Sequence, residues 1–131
     1  MKKSNSIKKN AGVVNKFLKK ELHGNPKQLY DAASHLILHG GKRLRPFLVL
    51  KSCQMLGGRQ SDAMAAASAV EMIHNFTLVH DDIMDNDEMR HGVPTTHKKF
   101  DMPLAILAGD VLYSKAYHTI SSKSKLPSNY T

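Results

Sequence analysis

The sequence predicts an all-α chain. Apolar residues recur at helical spacing in successive stretches, Gly- and Pro-containing breaks separate those stretches, and no run sustains the two-residue alternation of a half-buried strand. Val13, Val14, Phe17, Leu18 and Leu22 mark a first helix, which Gly24-Asn25-Pro26 ends. Leu29, Ala32, Ala33, Leu36 and Ile37 form a second stripe, closed by Gly40-Gly41. Pro46 suits the first turn of a third helix running through Leu56, and Gly57-Gly58 stops it. Ser61-Asp62 is the predicted cap of the longest segment, which is rich in Ala and Met and continues to about Asp87. Gly92-Val93-Pro94 breaks the chain, and Pro103 opens a last helix predicted to reach Ile120. There is no internal repeat, and no sheet is expected.

At 131 residues, 41% of them apolar, the chain suffices for one domain with its own core. The formal charge of +8 points to an anionic partner. Lys2, Lys3, Lys8, Lys9, Lys16, Lys19 and Lys20 crowd the N-terminal end with only Phe17 among them. Segments that read nucleic acid interleave aromatics or folded motifs, so this crowd reads as a solvated basic tail and no nucleic-acid partner is expected. The organisation that follows is a flexible basic tail over residues 1–10, a helical domain over 11–122 and a polar tail over 123–131 containing Pro127. The lone Cys53 excludes an intramolecular disulfide and fits a reducing compartment. No stretch is apolar for long enough to span a membrane, and the N-terminal lysines precede no apolar segment of a signal peptide, so a cytoplasmic protein is expected.

Chemistry concentrates in Asp81-Asp82-Ile83-Met84-Asp85. Aspartates four apart on a helix stand one above the other, so Asp81 and Asp85 present two carboxylates to one small volume. Such a pair is stable when a cation bridges it or one member is protonated. Oxygen-only donors suit Mg²⁺, which keeps several waters and shares itself with substrate phosphates. Arg90 lies five residues beyond the pair, and Gly40-Gly41-Lys42-Arg43-Leu44-Arg45-Pro46 supplies a second basic cluster. His74, seven residues before Asp81, shares the face of the carboxylates, whereas Phe76 projects at another angle, about 7.5 Å below Asp81 along the axis. Taken singly, the aspartate pair would be a solvated face, His74 a satisfied histidine and Phe76 core. Together they describe a polar rim that can hold a diphosphate above an apolar floor.

Gly40–Pro46 (GGKRLRP), Glu71–Arg90 (EMIHNFTLVHDDIMDNDEMR), Gly92-Val93-Pro94-Thr95-Thr96-His97 and Leu107-Ala108-Gly109-Asp110 resemble the trans-polyprenyl diphosphate synthases, nearest the short-chain archaeal geranylgeranyl type. The resemblance spans roughly Gly40 to Ile120 and implies the N-terminal part of an isoprenoid-synthase-type helical bundle. It implies isoprenoid biosynthesis by Mg²⁺-dependent head-to-tail condensation of isopentenyl diphosphate with an allylic diphosphate, in a prenyltransferase of the geranylgeranyl or farnesyl type. Asp81 and Asp85 match the metal-binding aspartates, and Asp82 completes that catalytic motif. Lys42, Arg45 and His74 match positions that hold isopentenyl diphosphate, and Arg90 matches the arginine on the allylic diphosphate. His91 stands where the family usually has a second arginine, and lacks its bidentate fork and permanent charge. Phe76 matches the position whose bulk limits product length.

The family's second aspartate-rich motif has no counterpart among Asp31, Asp62, Asp87, Asp101 and Asp110. The resemblance therefore implies the first half of an active site, inactive alone, acting as a homodimer or with a complementing C-terminal half. The alternative is a non-catalytic or split-enzyme subunit that pairs with a full-length synthase. A remote alternative takes His80-Asp81 as the dyad of an HD-type metal phosphohydrolase, with His39 and Asp110 as further ligands; it leaves GGKRLRP unexplained.

Overall fold

A computed structural model describes residues 2–124, with side chains from residue 5 onward. The helices among them are α1 (Lys2–Glu21), α2 (Lys27–His39), α3 (Leu44–Met55), α4 (Gln60–Met84), α5 (Thr96–Lys99) and α6 (Met102–Lys123), and the strands are β1 (Met89–Arg90) and β2 (Val93–Pro94). The all-α expectation holds. No described helix is long and apolar enough to cross a membrane.

Helix α4 is the axis of the molecule, packed most extensively against α6 and then α3. Its buried face begins with small residues, Ala63, Ala67 and Ala69, and meets Ala105, Ala108, Leu112 and Ala116 of α6. Alanines keep the ridges low, so the two helices approach closely over a long seam. His80 is pinned across that seam, donating from Nε2 to the Ile106 carbonyl at 3.1 Å. Val14, Leu18 and Leu22 of α1 and Ala32, Ala33, Leu36 and Ile37 of α2 complete the core.

Several boundaries differ from those the sequence predicts. Helix α1 starts at Lys2, so the basic tail expected over residues 1–10 is helical where it is described. The inward stripe of Val14 and Leu18 continues back through Ile7, Asn10 and Ala11, with Lys8, Lys9, Lys16, Lys19 and Lys20 exposed on the opposite side. At the other end α6 runs to Lys123, and most of the polar tail expected over 123–131 lies outside the described residues. The cap of α4 is Arg59 instead of Ser61-Asp62: Asp62 accepts from the Arg59 backbone N–H at 3.0 Å, closing the first turn from within. The same helix stops at Met84, short of Asp87.

The chain is not free of strand. Met89 pairs with Pro94 and Arg90 with Val93 in a minimal antiparallel hairpin. Its two turn residues, His91 (φ 52°) and Gly92 (φ 77°), both lie in the left-handed region, which is the requirement for a tight turn of this twist. The arms are too short to show alternation, so periodicity alone misses them. Thr95 ties the hairpin down, donating from Oγ1 to the Asp87 carbonyl at 2.8 Å. His35 of α2 donates from Nε2 to the Pro94 carbonyl at 2.7 Å. Burial pushes the His35 pKa down from its ordinary value, and the charges of Lys99 and His39 act in the same direction against the raising effect of that hydrogen bond.

Candidate functional site

The loop between α2 and α3 explains its own sequence. Gly41 has φ 98°, and a side chain there would start 2.7 Å from Nη1 of Arg43. A Cβ on Gly40 would lie 2.6 Å from Cγ of His91. The first glycine lets the hairpin close onto the loop, and the second lets Arg43 turn inward beneath it. Lys42 and Arg45 are left exposed on either side. The result is a cleft of about 440 Å³ whose lining includes Lys42, Arg45, His74, Asn75, Leu78 and His91. Four residues that the sequence connects with one diphosphate, Lys42, Arg45, His74 and His91, are thus brought around one space. His74 has its pKa lowered, first by burial and next by the Arg45 charge; Glu71 opposes, and Arg90 and Arg43 add to the lowering.

The three aspartates of the motif part company. The Asp85 N–H donates to the Asp81 carbonyl at 2.8 Å, so the helical register that stacks their side chains persists to the end of α4. Both are exposed, and neither carboxylate has a hydrogen bond or ion pair among the described residues. Asp82 points the other way and is fully buried. Arg90 grips it from β1: Nε donates to both carboxylate oxygens at 2.9 and 3.0 Å, and Nη2 to Oδ1 at 2.7 Å. That hydrogen bonding is the chief reason the Arg90 pKa is raised further, against the opposing effect of burial. Arg90, which the resemblance matches to the arginine on the allylic diphosphate, thus also holds the hairpin to α4, leaving its Nη1 group uncommitted among the described residues. Asp82 is a buried counter-ion and not a third carboxylate at the rim.

Among the described residues no group of three or more His, Cys, Asp or Glu side chains is arranged to hold a metal ion. Asp81 and Asp85 nonetheless fit Mg²⁺ in donor chemistry, being hard, exposed oxygens that form no salt bridge among the described residues. The HD-type arrangement does not form. His80 is engaged with Ile106, His39 bonds the carbonyl of His35 in its own helix, and Asp110 lines a separate cleft with Lys115 and His118.

Phe76 is half-buried on the α4–α6 seam, with its ring 4.7 Å from that of His80 and 5.3 Å from that of Tyr113. The sequence reading passed over Arg43 and Glu71, which form a buried ion pair at 2.9 Å behind the cleft. A signal was present. Met72, Asn75, Val79 and Asp82 continue one buried stripe of α4, so polar residues on it must find partners indoors.

Known proteins match this chain in sequence and in fold. A family model described as Polyprenyl synthetase matches residues 26–130. The geranylgeranyl pyrophosphate synthase of Geoglobus acetivorans is 50% identical over 127 residues, covering 96% of this chain and 40% of that protein. The geranylgeranyl diphosphate synthase of Sulfolobus acidocaldarius is 47% identical over 116 residues, covering 88% of this chain and 35% of its own length. Among solved structures, the geranylgeranyl pyrophosphate synthetase of Pyrococcus horikoshii superposes with a TM-score of 0.89 at 44% identity, over 95% of this chain and 38% of that one. The chain thus spans 35–40% of the length of these curated relatives. Matched by that family model over most of its length and half identical to such relatives, this chain belongs to the polyprenyl synthetase family.

Proposed function

We propose that this chain carries the substrate-holding part of a prenyltransferase that condenses isopentenyl diphosphate head-to-tail with an allylic diphosphate, of the geranylgeranyl type. The observation that carries the reading is the cleft in which Lys42, Arg45, His74 and His91 converge, on the same helix α4 that ends in the Asp81/Asp85 pair. Lys42 supplies a point charge and Arg45 a planar fork to the diphosphate of isopentenyl diphosphate, with His74 and His91 donating from the facing walls. Asp81 and Asp85 would hold Mg²⁺, which when bound supplies Lewis-acid stabilisation of the departing allylic diphosphate. Arg90 offers its uncommitted Nη1 donors on the same side while Asp82 fixes its orientation. Phe76, set below the pair on the apolar seam, is the ring we propose limits product length.

Because the chain spans 35–40% of its relatives, binding without turnover is the activity proposed for it alone. A complementing half carrying the second aspartate-rich motif is the partner proposed for turnover, and a homodimer is the proposed assembly. Exposed apolar side chains at Leu48, Leu56 and Tyr117 support the pairing of these helices with another surface, and a subunit role remains the second reading. The lone Cys53 suits a reducing, cytoplasmic setting.

Calorimetric titration of the chain with a non-hydrolysable allylic diphosphate analogue is expected to show weak binding that requires Mg²⁺. Binding indifferent to Mg²⁺ would remove the metal from the reading, and sustained product formation by the isolated chain would overturn binding without turnover. A second titration tests the cleft itself. Burial and Arg45 hold the His74 pKa below 6.5 in the free chain, and a diphosphate placed between them reverses that bias. Affinity for isopentenyl diphosphate is therefore expected to rise as pH falls through the bound-state pKa, levelling off below the lowered free-state value. His74→Gln should diminish that extra rise while leaving His91 and the ligand's own protonation in place. Superimposable pH profiles for the two proteins would take His74 out of the site.

A further inference from the structure

Lys42, Arg43 and Arg45 are three cations within four positions of one loop, yet they do not share an environment. Lys42 and Arg45 are exposed at the cleft, whereas Arg43 is only 4% exposed and forms part of its back wall. The Arg43 backbone sits at φ 54°, ψ 37°, a left-handed conformation uncommon for a residue with a side chain. Something must hold it there, and the guanidinium does so from three elements. Its Nε–H donates to Oδ1 of Asn15 in α1 at 2.7 Å, its Nη2 to the Ile37 carbonyl of α2, and its Nη1 to Oε1 of Glu71 in α4 at 2.9 Å. Glu71 is itself steadied by Asn75, whose Nδ2 donates to the Glu71 carbonyl at 2.9 Å and to Oε1 at 3.4 Å. A cation neutralised by a buried carboxylate at hydrogen-bond distance has little field left for an anion in the cleft.

We propose that Arg43 is a positioning residue: it does not contact the diphosphate, but through Glu71, Asn15 and Ile37 it fixes the backbone from which Lys42 and Arg45 reach the cleft. This inference rests on the reading of the cleft as a diphosphate site. It divides the basic motif into two cations that face the ligand and one that sets their geometry.

The test titrates the chain with isopentenyl diphosphate at several ionic strengths and follows amide hydrogen exchange over residues 41–45. Lys42→Gln is expected to weaken binding about tenfold, the loss of one charge-assisted hydrogen bond, and to flatten the dependence on ionic strength. The double variant Arg43→Gln/Glu71→Gln keeps the pair neutral and hydrogen-bonded. It is expected to weaken binding by a similar, roughly tenfold factor with the wild-type ionic-strength dependence retained and exchange in the loop accelerated. Should circular dichroism show the double variant unfolded, Arg43→Lys, which keeps the charge but cannot span all three partners, carries the same expectations. A flattened ionic-strength dependence with unchanged exchange would make Arg43 a direct ligand, and wild-type affinity with wild-type exchange would leave it no role; either overturns the proposal. If Lys42→Gln leaves binding untouched, or the wild-type chain does not bind, the cleft reading itself has failed.

Discussion

Replacing Glu71 with Ala is expected to destabilise the chain by about 3–5 kcal/mol, the range for removing one partner of a buried ion pair. The guanidinium of Arg43 has little access to water, since both side chains of the pair are almost wholly buried. Deleting the carboxylate strands that charge and also removes the acceptor on which Asn75 partly leans. Glu71→Gln should cost less, because an amide oxygen still accepts from Nη1 although the charge is gone. Replacing both partners with Met should cost less than Glu71→Ala alone, since a well-packed apolar pair does not leave a lone charge indoors. Urea denaturation of the variants measures these differences. A Glu71→Ala chain within about 1 kcal/mol of wild type would show that the pair opens to water in solution.

The pair at the other end of α4 should behave asymmetrically. Arg90→Ala leaves the Asp82 carboxylate fully buried without its cation, and a loss of about 3–5 kcal/mol is expected. Asp82→Asn leaves a guanidinium that is about a quarter exposed and can turn toward solvent. Its cost is expected to be smaller, about 1–2 kcal/mol, the difference between a charged and a neutral acceptor. Equal losses would mean that both groups relax to water. The asymmetry bears on how kinetic effects are read. An alanine at position 90 removes the proposed substrate contact and also releases the hairpin from α4, so a fall in ligand affinity would report both. Arg90→Lys, which keeps a cation beside Asp82 but lacks the fork, separates the two.

Much of this architecture was legible in the order of residues. Helical spacing with Gly and Pro punctuation located the long helices because those signals repeat over several turns. It failed where an element is shorter than its own period, as in the hairpin around His91-Gly92 and the single turn Thr96–Lys99. The cleft residues Lys42, Arg45 and His74 were legible through motif and helical register. What register alone does not give is the sign of a direction, inward or outward. Arg43 stands in a run of cations that reads as a solvated surface, and its partner Glu71 lies on a distant helix, so the pairing is a property of the tertiary structure. Asp82 is similar: Asp81 and Asp85 of the same motif are exposed, but its neighbours on the stripe, Val79 and Met72, face the core.

The absent side chain at position 40 has a consequence for variation. The His91 ring and Cβ occupy the volume where a residue larger than glycine would begin. Positions 40 and 91 therefore form a lock and a key cut from opposite sides of the cleft, and they should covary. A chain that acquires alanine at 40 is expected to tolerate it when 91 has shrunk to glycine, which removes the Cβ as well as the ring, whereas an arginine installed at 91 must thread the same gap that histidine uses. Directed evolution of the histidine position would then be expected to stall wherever the loop glycine is allowed to drift.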